Sequence, residues 1–285
     1  MKFTKMHGAG NDYVYVNCFE ENVENPSEVA IKVSPRHFAI GSDGLILIKP
    51  SKVADCTMEM YNADGSLGAM CGNGVRCVGK YAYDHGIVDP DKRVITVETG
   101  AGIKTLKLTV ENGKAVLLEV DMGSPVLTSH KADKALAIED YIMLSEEEIW
   151  EEIEVGGKVW KMICVSMGNP HTVVFIDDTD SLEIEKIGPL FENHPRFPDR
   201  TNTEFVQVVD ENTLKMRVWE RGSGETLACG TGACATLVAA TLAEHVNGKA
   251  KICLLGGDLS IELRNDGHVM MTGPAEEAFS GEWNG

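Results

Sequence analysis

Short alternating and apolar runs dominate the chain and predict a sheet-rich protein with few helices. The Asn112-Gly113 pair and the stretch 265–267 predict tight turns between strands. Strands are predicted in the first half at 1–6, 13–16, 45–48, 58–61, 94–98, 104–110 and 115–121. Strands are predicted in the second half at 159–165, 172–176, 204–209, 214–219, 251–254, 259–263 and 269–271.

Helical patterns are fewer. Ser145 and Glu148 form a capping-box pattern for a short helix near Trp150. Further helices are predicted at 27–33, 182–191, 75–85 and 233–245. The helix at 233–245 begins with residues that are apolar or small on every side, so we expect it to be buried all round. A helix enclosed by short strands implies a mostly antiparallel sheet, or a barrel, curled around a central helix in each half.

The most informative pattern is a repeated Cys-Gly-x-Gly tetrapeptide that begins at Cys71 and again at Cys229, 158 positions later. Asn11 and Asn169 each precede their cysteine by 60 positions. This echo predicts two pseudo-symmetric α/β (α+β) domains. We place the first at 1–124 plus 273–285 and the second at 125–272.

Composition limits the classes of partner that the protein is expected to bind. The 285 residues carry a formal net charge of −18, which weighs against nucleic acid and anionic membranes as partners. No apolar run approaches the ~20 residues of a membrane-spanning helix, and no signal-peptide core is visible, so we expect a cytoplasmic protein. The spacing of cysteines and histidines does not fit a metal site, and none is expected.

Both cysteines precede a predicted helix start, where backbone N–H groups and the helix dipole favour a thiolate and bind anions. Two thiols at two helix ends suit racemisation by two bases, in which one sulfur removes an α-proton and the other returns one. Nothing indicates a Schiff-base lysine with a phosphate-binding loop, so we expect no cofactor. The GxGxxA match at 230–235 lacks the preceding strand of a dinucleotide site. The other six cysteines are expected to be core residues.

These motifs together resemble the diaminopimelate epimerase family. The matching stretches are 7–13, 61–66, 70–77, 167–171, 200–202, 219–222 and 228–232. The resemblance spans nearly the whole chain and implies a cofactor-independent epimerase. The enzyme would interconvert LL- and meso-2,6-diaminopimelate, for lysine and peptidoglycan precursors, usually as a homodimer.

Carried over position by position, the resemblance makes Cys71 and Cys229 the acid/base thiols. It implies that His171 and Glu220 tune the thiol pKa values. Backbone N–H groups would bind the reacting carboxylate at Gly72, Asn73, Gly230 and Thr231. Substrate, chiefly its distal end, would be held by Asn11, Asn62, Asn169, Asn202, Glu220 and Arg221. Some family members carry a substrate-contacting glutamine where this chain has Gly44, so we expect no such contact there.

The sequence leaves other functions open. A racemase of the same fold acting on proline or hydroxyproline is the nearest alternative, but Glu220, Arg221 and four asparagines favour a longer substrate with a second amino-acid end. A PhzF-like isomerase would lack the thiol pair. From a different class, the thiols could form a redox switch or a binding module without turnover.

Overall fold

The computed structural model describes residues 1–128, 136–137 and 145–285. The chain forms two compact units, 1–121 with 272–285 and 122–271. We call them unit 1 and unit 2. That each unit is one epimerase domain stays a prediction. Within the described ranges, no helix is both long enough and apolar enough to span a membrane.

Unit 1 is built from short strands and two helices. Its elements up to residue 121 are β1 (Lys2–Gly8), β2 (Asn11–Asn17), α1 (Pro26–Val33), β3 (Gly44–Lys49), β4 (Cys56–Asn62), β5 (Leu67–Gly68), α2 (Gly72–Asp84), β6 (Val94–Thr99), β7 (Gly102–Glu111) and β8 (Lys114–Asp121). The predicted turn at Asn112-Gly113 joins β7 to β8, and both residues have positive φ (51° and 76°). This conformation is the one that an Asn-Gly hairpin favours.

Unit 2 is built in the same way, with a few additional elements. The elements of unit 2 are β9 (Val126–Leu127), β10 (Leu136–Ala137), α3 (Glu146–Ile149), β11 (Glu151–Val155), β12 (Lys158–Ser166), β13 (Pro170–Phe175), α4 (Ile184–Glu192), β14 (Asn202–Asp210), β15 (Thr213–Glu220), β16 (Gly224–Thr226), α5 (Gly230–Leu242), β17 (Lys249–Leu254), β18 (Gly257–Leu263) and β19 (Val269–Gly273). The predicted capping box precedes α3, since Glu148 accepts the Ser145 backbone N–H at 2.8 Å.

The two units repeat the same strand pairings. In unit 1, β1–β2, β3–β4 and β6–β7 pair antiparallel, and β2–β3 and β4–β6 pair parallel. In unit 2, β12–β13, β14–β15 and β17–β18 are antiparallel, and β13–β14 and β15–β17 are parallel. Register repeats as well, because Val14 faces Leu45 and Thr172 faces Thr203, positions separated by the same 158 residues as the cysteines.

Each unit holds its long helix against its own strands. Helix α2 packs against β1, β2, β4, β6 and β8, and α5 packs against β12, β13, β14, β17 and β18. Nearly every residue of α5 from Gly230 to Ala240 is buried, as its apolar sequence predicts. The predicted mixed α/β class with few helices is confirmed. Across the described strands the sheets stay open, so the barrel variant of the prediction does not hold.

The structure corrects the prediction in two respects. Helices α2 and α5 begin at Gly72 and Gly230, earlier than predicted from apolar periodicity, because the preceding cysteine caps the first turn. Several strands were not predicted from the pattern of hydrophobic residues: β5, β9, β10, β11, β16 and the last strand, β20 (Glu276–Glu282). Every residue of β20 is exposed, and the strand exists through its antiparallel pairing with β1.

Candidate active site

Cys71 and Cys229 occupy the same capping position on helices of 13 residues each. Cys71 has extended backbone angles (φ −128°, ψ 122°), as does Cys229 (φ −114°, ψ 109°). The N–H of Gly74 donates to Cys71 Sγ at 3.3 Å, and the N–H of Gly232 donates to Cys229 Sγ at 3.4 Å. An N–H donor and the positive end of a helix both favour a thiolate, so both sulfurs have the same built-in electrostatic support.

A tight turn places an asparagine beside each helix start. Gly10 and Gly168 have positive φ values of 82° and 94°, and Asn11 and Asn169 follow them directly. Glycine adopts this backbone conformation without the steric cost of a Cβ. The predicted 60-residue spacing between asparagine and cysteine therefore corresponds to a repeated structural element.

In unit 1, Cys71 is half-buried and lies against an amide. Its thiol donates to Asn11 Oδ1 at 3.1 Å, while Asn11 Nδ2 donates to Asp43 Oδ2 at 2.7 Å. Asp43 also accepts the backbone N–H of Asp12 at 3.1 Å. The Asp43 carboxylate thus fixes which end of the Asn11 amide faces the sulfur.

A charged network supports that carboxylate. The guanidinium of Arg36 bridges Asp12 and Asp43 at 2.7 and 2.8 Å, and Lys5 pairs with Asp12 at 2.5 Å. Burial opposes ionisation of Asp12, yet the hydrogen bonds from Arg36 and Lys5 hold its pKa below the usual value. Burial, followed by the charge of Asp12, raises the pKa of Asp43. The network keeps Asp43 in place as a hydrogen-bond acceptor for Asn11.

The first turn of α2 is also held from inside the unit. Asn73 is buried, and its Oδ1 accepts from Arg76 Nη2 at 2.9 Å. Arg76 is fully buried, and its Nε donates to the carbonyl of Pro274 at 3.2 Å. With the Asn73 side chain held in this way, its backbone N–H, like that of Gly72, stays at the helix start where an anion would bind.

In unit 2, Cys229 lies in a buried group of ionisable residues. One ligand-type atom from each of His171, Glu204 and Cys229 lies within 4.8 Å of the others, and all three residues are buried. His171 Nδ1 is 2.7 Å from Glu204 Oε1, and His171 Nε2 is 3.1 Å from Asn169 Oδ1. Asn169 Nδ2 donates to Thr231 Oγ1 at 3.3 Å, which closes the chain of contacts at the helix start.

This surrounding disfavours ionisation of the Cys229 thiol. Burial raises the pKa of Cys229 well above its ordinary value, and the nearby carboxylates of Glu220 and Glu204 add to the effect. Burial also raises the pKa of Glu220, against the hydrogen bond from Thr226 and the charge of His171. A thiolate at Cys229 therefore requires stabilisation beyond that given by the helix terminus.

The donor types at this cluster are ones that transition metals accept. In the structure, however, both nitrogens of His171 already contact oxygens, one of Glu204 and one of Asn169. The geometry is that of a hydrogen-bonded cluster. The absence of a metal stays a prediction.

The remaining predicted substrate residues lie at strand ends and in loops. Asn202, at the start of β14, is buried, and its Oδ1 accepts the backbone N–H of Arg221 at 2.9 Å. The Arg221 side chain is exposed and donates to the carbonyl of Asp199 at 3.1 Å. Asn62 ends β4 and donates to Ser66 Oγ at 2.9 Å. The structure thus joins Asn202 to Arg221 and places Asn62 in a loop contact of its own.

Gly44 is explained by the packing of its strand. Its φ is 154°, and a Cβ there would lie 2.0 Å from the carbonyl oxygen of Tyr61. A side chain at this position would therefore collide with the neighbouring strand β4. Packing against β4 therefore explains the glycine, and the expectation about substrate contact at this position stays a prediction.

Sequence patterns did not identify Glu204 or Asp43 as residues of the site. Glu204 is fully buried in the middle of the unit 2 sheet, and Asp43 orients Asn11 from 32 positions away. A signal for Glu204 was available, since the 158-residue offset aligns it with Ile46, an apolar residue. A carboxylate at a position whose repeat is isoleucine marks a departure from simple packing.

Solved structures of similar fold include a probable proline racemase and a PhzF-family protein. A probable proline racemase from Agrobacterium radiobacter matches with a TM-score of 0.71 at 14% identity, covering 99% of this chain and 92% of that one. A PhzF-family phenazine biosynthesis protein from Bacillus anthracis matches with a TM-score of 0.71 at 16% identity, covering 99% and 98%. At these identities the likeness shows the fold alone.

Sequence comparison identifies the family. A family model described as diaminopimelate epimerase matches residues 3–128 and 163–277. A diaminopimelate epimerase from Acetivibrio thermocellus is 59% identical over 99% of this chain and 98% of its own length. One from Agathobacter rectalis is 58% identical, and one from Methanococcus maripaludis 55%, each over 99% of both chains. The chain belongs to the diaminopimelate epimerase family.

Proposed function

We propose that this protein interconverts LL- and meso-2,6-diaminopimelate through Cys71 and Cys229, without a cofactor. The observation that carries the proposal is the repeated cap: each sulfur accepts a backbone N–H from the first turn of a 13-residue helix. Two such thiols provide one base and one acid for the same α-carbon. The reaction is inferred from the family, and the two capping thiols provide the acid and the base that it requires.

The proposed reaction moves one proton at each face of the α-carbon. One thiolate removes the α-proton, and the opposite thiol gives its own proton to the other face, which inverts the centre. Negative charge that develops on the substrate carboxylate is stabilised by helix-terminal N–H groups. Those groups belong to Gly72, Asn73, Gly230 and Thr231.

The side chains at the strand ends suit the distal, non-reacting end of the substrate. That end carries a carboxylate and an ammonium, for which Arg221 and Glu220 offer opposite charges. Amide groups can serve both ends as donors and acceptors. We assign substrate binding to Asn11, Asn62, Asn169, Asn202, Glu220 and Arg221, and adjustment of the thiol pKa values to His171 and Glu220.

The same proposal gives the protein a cellular setting. We assign it to lysine and peptidoglycan precursor synthesis in the cytoplasm, as a homodimer with neither nucleic acid nor membrane as partner. Strand β20 supports the dimer, because all of its residues are exposed and Phe279 presents half of its surface. An exposed strand of this kind offers backbone groups to a second copy.

The test is incubation of the purified protein with LL-diaminopimelate in heavy water. We expect meso-diaminopimelate to form with deuterium at the inverted α-carbon, unaffected by a chelator and without added cofactor. L-Proline and trans-4-hydroxy-L-proline serve as parallel substrates, and their inversion in place of diaminopimelate would favour the racemase alternative. Absence of both inversion and α-deuteration for every substrate would contradict the proposal and leave the redox or binding module.

A further inference from the structure

Glu204 is a buried carboxylate that no assigned role explains. It lies on β14, and its side chain is fully buried. Its Oε1 contacts His171 Nδ1 at 2.7 Å and lies 2.6 Å from the point where a Cβ on Gly232 would stand, against the first turn of α5. Its Oε2 is buried without a hydrogen-bond partner among the described residues. A buried carboxylate is costly unless something nearby compensates its charge.

Unit 1 shows that packing does not require this carboxylate. The equivalent of Glu204 there is Ile46, which is fully buried in β3. Ile46 Cδ1 lies 2.9 Å from the point where a Cβ on Gly74 would stand, so it fills the same space beneath the first turn of α2. An apolar side chain therefore satisfies the fold at this place. The carboxylate in unit 2 needs a chemical reason.

The contacts of His171 supply that reason. One ring nitrogen faces Glu204 Oε1 at 2.7 Å and the other faces Asn169 Oδ1 at 3.1 Å. The Asn169 amide is oriented by its other end, since Nδ2 donates to Thr231 Oγ1 at 3.3 Å. Both ring nitrogens of His171 thus face acceptors, and a ring that donates from both nitrogens is an imidazolium.

We propose that Glu204 is a positioning residue that holds His171 as an imidazolium beside Cys229, where its charge stabilises the thiolate formed when Cys229 gives up its proton. The inference rests on the proposed function, because it assigns a role to neighbours of a proposed catalytic thiol. In this arrangement the Glu204 carboxylate compensates the imidazolium, and the imidazolium compensates the thiolate. Unit 1 has Tyr13 and Ile46 at the two matching positions, so the matching positions in unit 1 do not provide this histidine–glutamate pair.

The groups around Cys229 agree with this role. Glu220 on β15 and Glu204 on β14 face it, and both oppose its ionisation. His171 on β13 is the basic residue of the cluster, and under the proposal it carries the positive charge. Cys164 on β12 also lies near Glu204, but burial raises its pKa to about 12, so it stays a neutral thiol. Among these groups, only His171 offsets the two carboxylates.

The direct test is the protonation state of His171 in the intact protein, measured from the imidazole ¹⁵N chemical shifts at pH 7.5. The signals are assigned by their loss in His171→Gln. In the unchanged protein we expect both ring nitrogens to be protonated, and in Glu204→Gln we expect a neutral ring. A neutral ring in the unchanged protein, or an imidazolium that persists in Glu204→Gln, would overturn the inference.

Kinetics give a second readout that a purely structural role would not produce. Glu204→Gln should lower kcat for LL-diaminopimelate about tenfold or more, with KM within about twofold, because a cation near a thiol shifts its ionisation by at least that factor. Glu151→Gln, which also removes a buried carboxylate of unit 2, should keep kcat. If Glu204→Gln does not fold, Glu204→Ile, which introduces the residue found at the matching position of unit 1, takes its place in the same ¹⁵N comparison, with a neutral ring again expected. Inactivity of the unchanged protein would refute the proposed function, whereas the ring state tests Glu204 by itself.

Discussion

The surroundings of Cys71 in unit 1 and of Cys229 in unit 2 share one backbone arrangement and differ in the side chains around the sulfur. Each has a cysteine cap, a helix of the same length, a turn asparagine and matching strand register. The 158-residue offset pairs Ile46 with Glu204, Tyr13 with His171 and Asn62 with Glu220. The repeat thus carries the thiol and its helix in both units, whereas the imidazole and the two carboxylates that surround Cys229 have no counterpart at the matching positions of unit 1.

Equivalent positions in the two units therefore place the two thiols in different environments. Cys71 is half-buried and contacts an amide, while Cys229 is buried among two carboxylates and an imidazole. A two-base reaction requires one sulfur to accept and the other to donate a proton. Under the proposed reaction, different surroundings would let the ionisation of each sulfur be adjusted separately for the stereoisomer that it deprotonates.

The largest expected effect comes from removing either sulfur. Cys71→Ala and Cys229→Ala should each lower epimerisation by at least about a thousandfold, because loss of either the acid or the base stops inversion. The isomers are followed by chiral chromatography. The matched controls are Cys77→Ala and Cys234→Ala, which remove a buried thiol from α2 and α5 and should keep most of the activity. Near-full activity of either first variant would show that one thiol suffices.

The second prediction concerns the pair Ile46 and Glu204. Ile46→Glu should lower the free energy of unfolding by about 3–5 kcal/mol, because unit 1 has Tyr13 where His171 would compensate the buried charge. Glu204→Ile should cost far less, since an apolar residue fits the same space in unit 1. Urea unfolding of both variants, with Ile46→Leu as the control for shape, measures the difference. Equal losses would mean that the two positions are not structurally equivalent.

The third prediction compares how the two asparagines are held. Asn11 is oriented by Asp43 at 2.7 Å, whereas Asn169 is held by both His171 and Thr231. Asp43→Ala should therefore raise KM for LL-diaminopimelate about tenfold, the scale expected when one positioning contact to a substrate-binding group is lost.

Thr231→Val should have a smaller effect on KM than Asp43→Ala, because Asn169 keeps its contact with His171. Steady-state kinetics of both variants measure the ratio, and Asp91→Ala, at an exposed turn, serves as the control. A larger effect of Thr231→Val would show that the hydroxyl, and not the asparagine orientation, governs binding.

The features that the sequence predicted well are those that local residue patterns determine. The capping cysteines, the Asn-Gly turn and the apolar helix α5 each follow from a few neighbouring residues and their known preferences. Repetition at a fixed offset added the pseudo-symmetry. Local chemistry and internal comparison were therefore enough to find both sulfurs.

The features that the sequence did not predict depend on contacts between residues that are far apart in the chain. The strand was predicted to start at 204, after the polar Asn202 and Thr203, yet these two residues and Glu204 are buried, because β14 lies between β13 and β15. Asp43 lies beside Asn11 because β2 and β3 are paired. A central strand position and a long-range contact have no local signature, so a carboxylate there reads as a solvent-facing residue.

The smallest expected effect concerns Glu220, whose counterpart in unit 1 is Asn62. Because burial raises its pKa in the folded protein, the unfolded chain releases this proton more readily, and ionisation of Glu220 costs stability as pH rises through its folded pKa. Glu220→Gln should thus increase the free energy of unfolding by about 1 kcal/mol at pH 7 while lowering activity, and the gain should fade as pH approaches 4. Urea unfolding at several pH values, with the exposed Glu152→Gln as control, measures the trend. A gain that grew toward acid pH would mean that the folded protein favours ionised Glu220, in which case unit 2 would hold its carboxylates by attraction to His171 more strongly than burial opposes them.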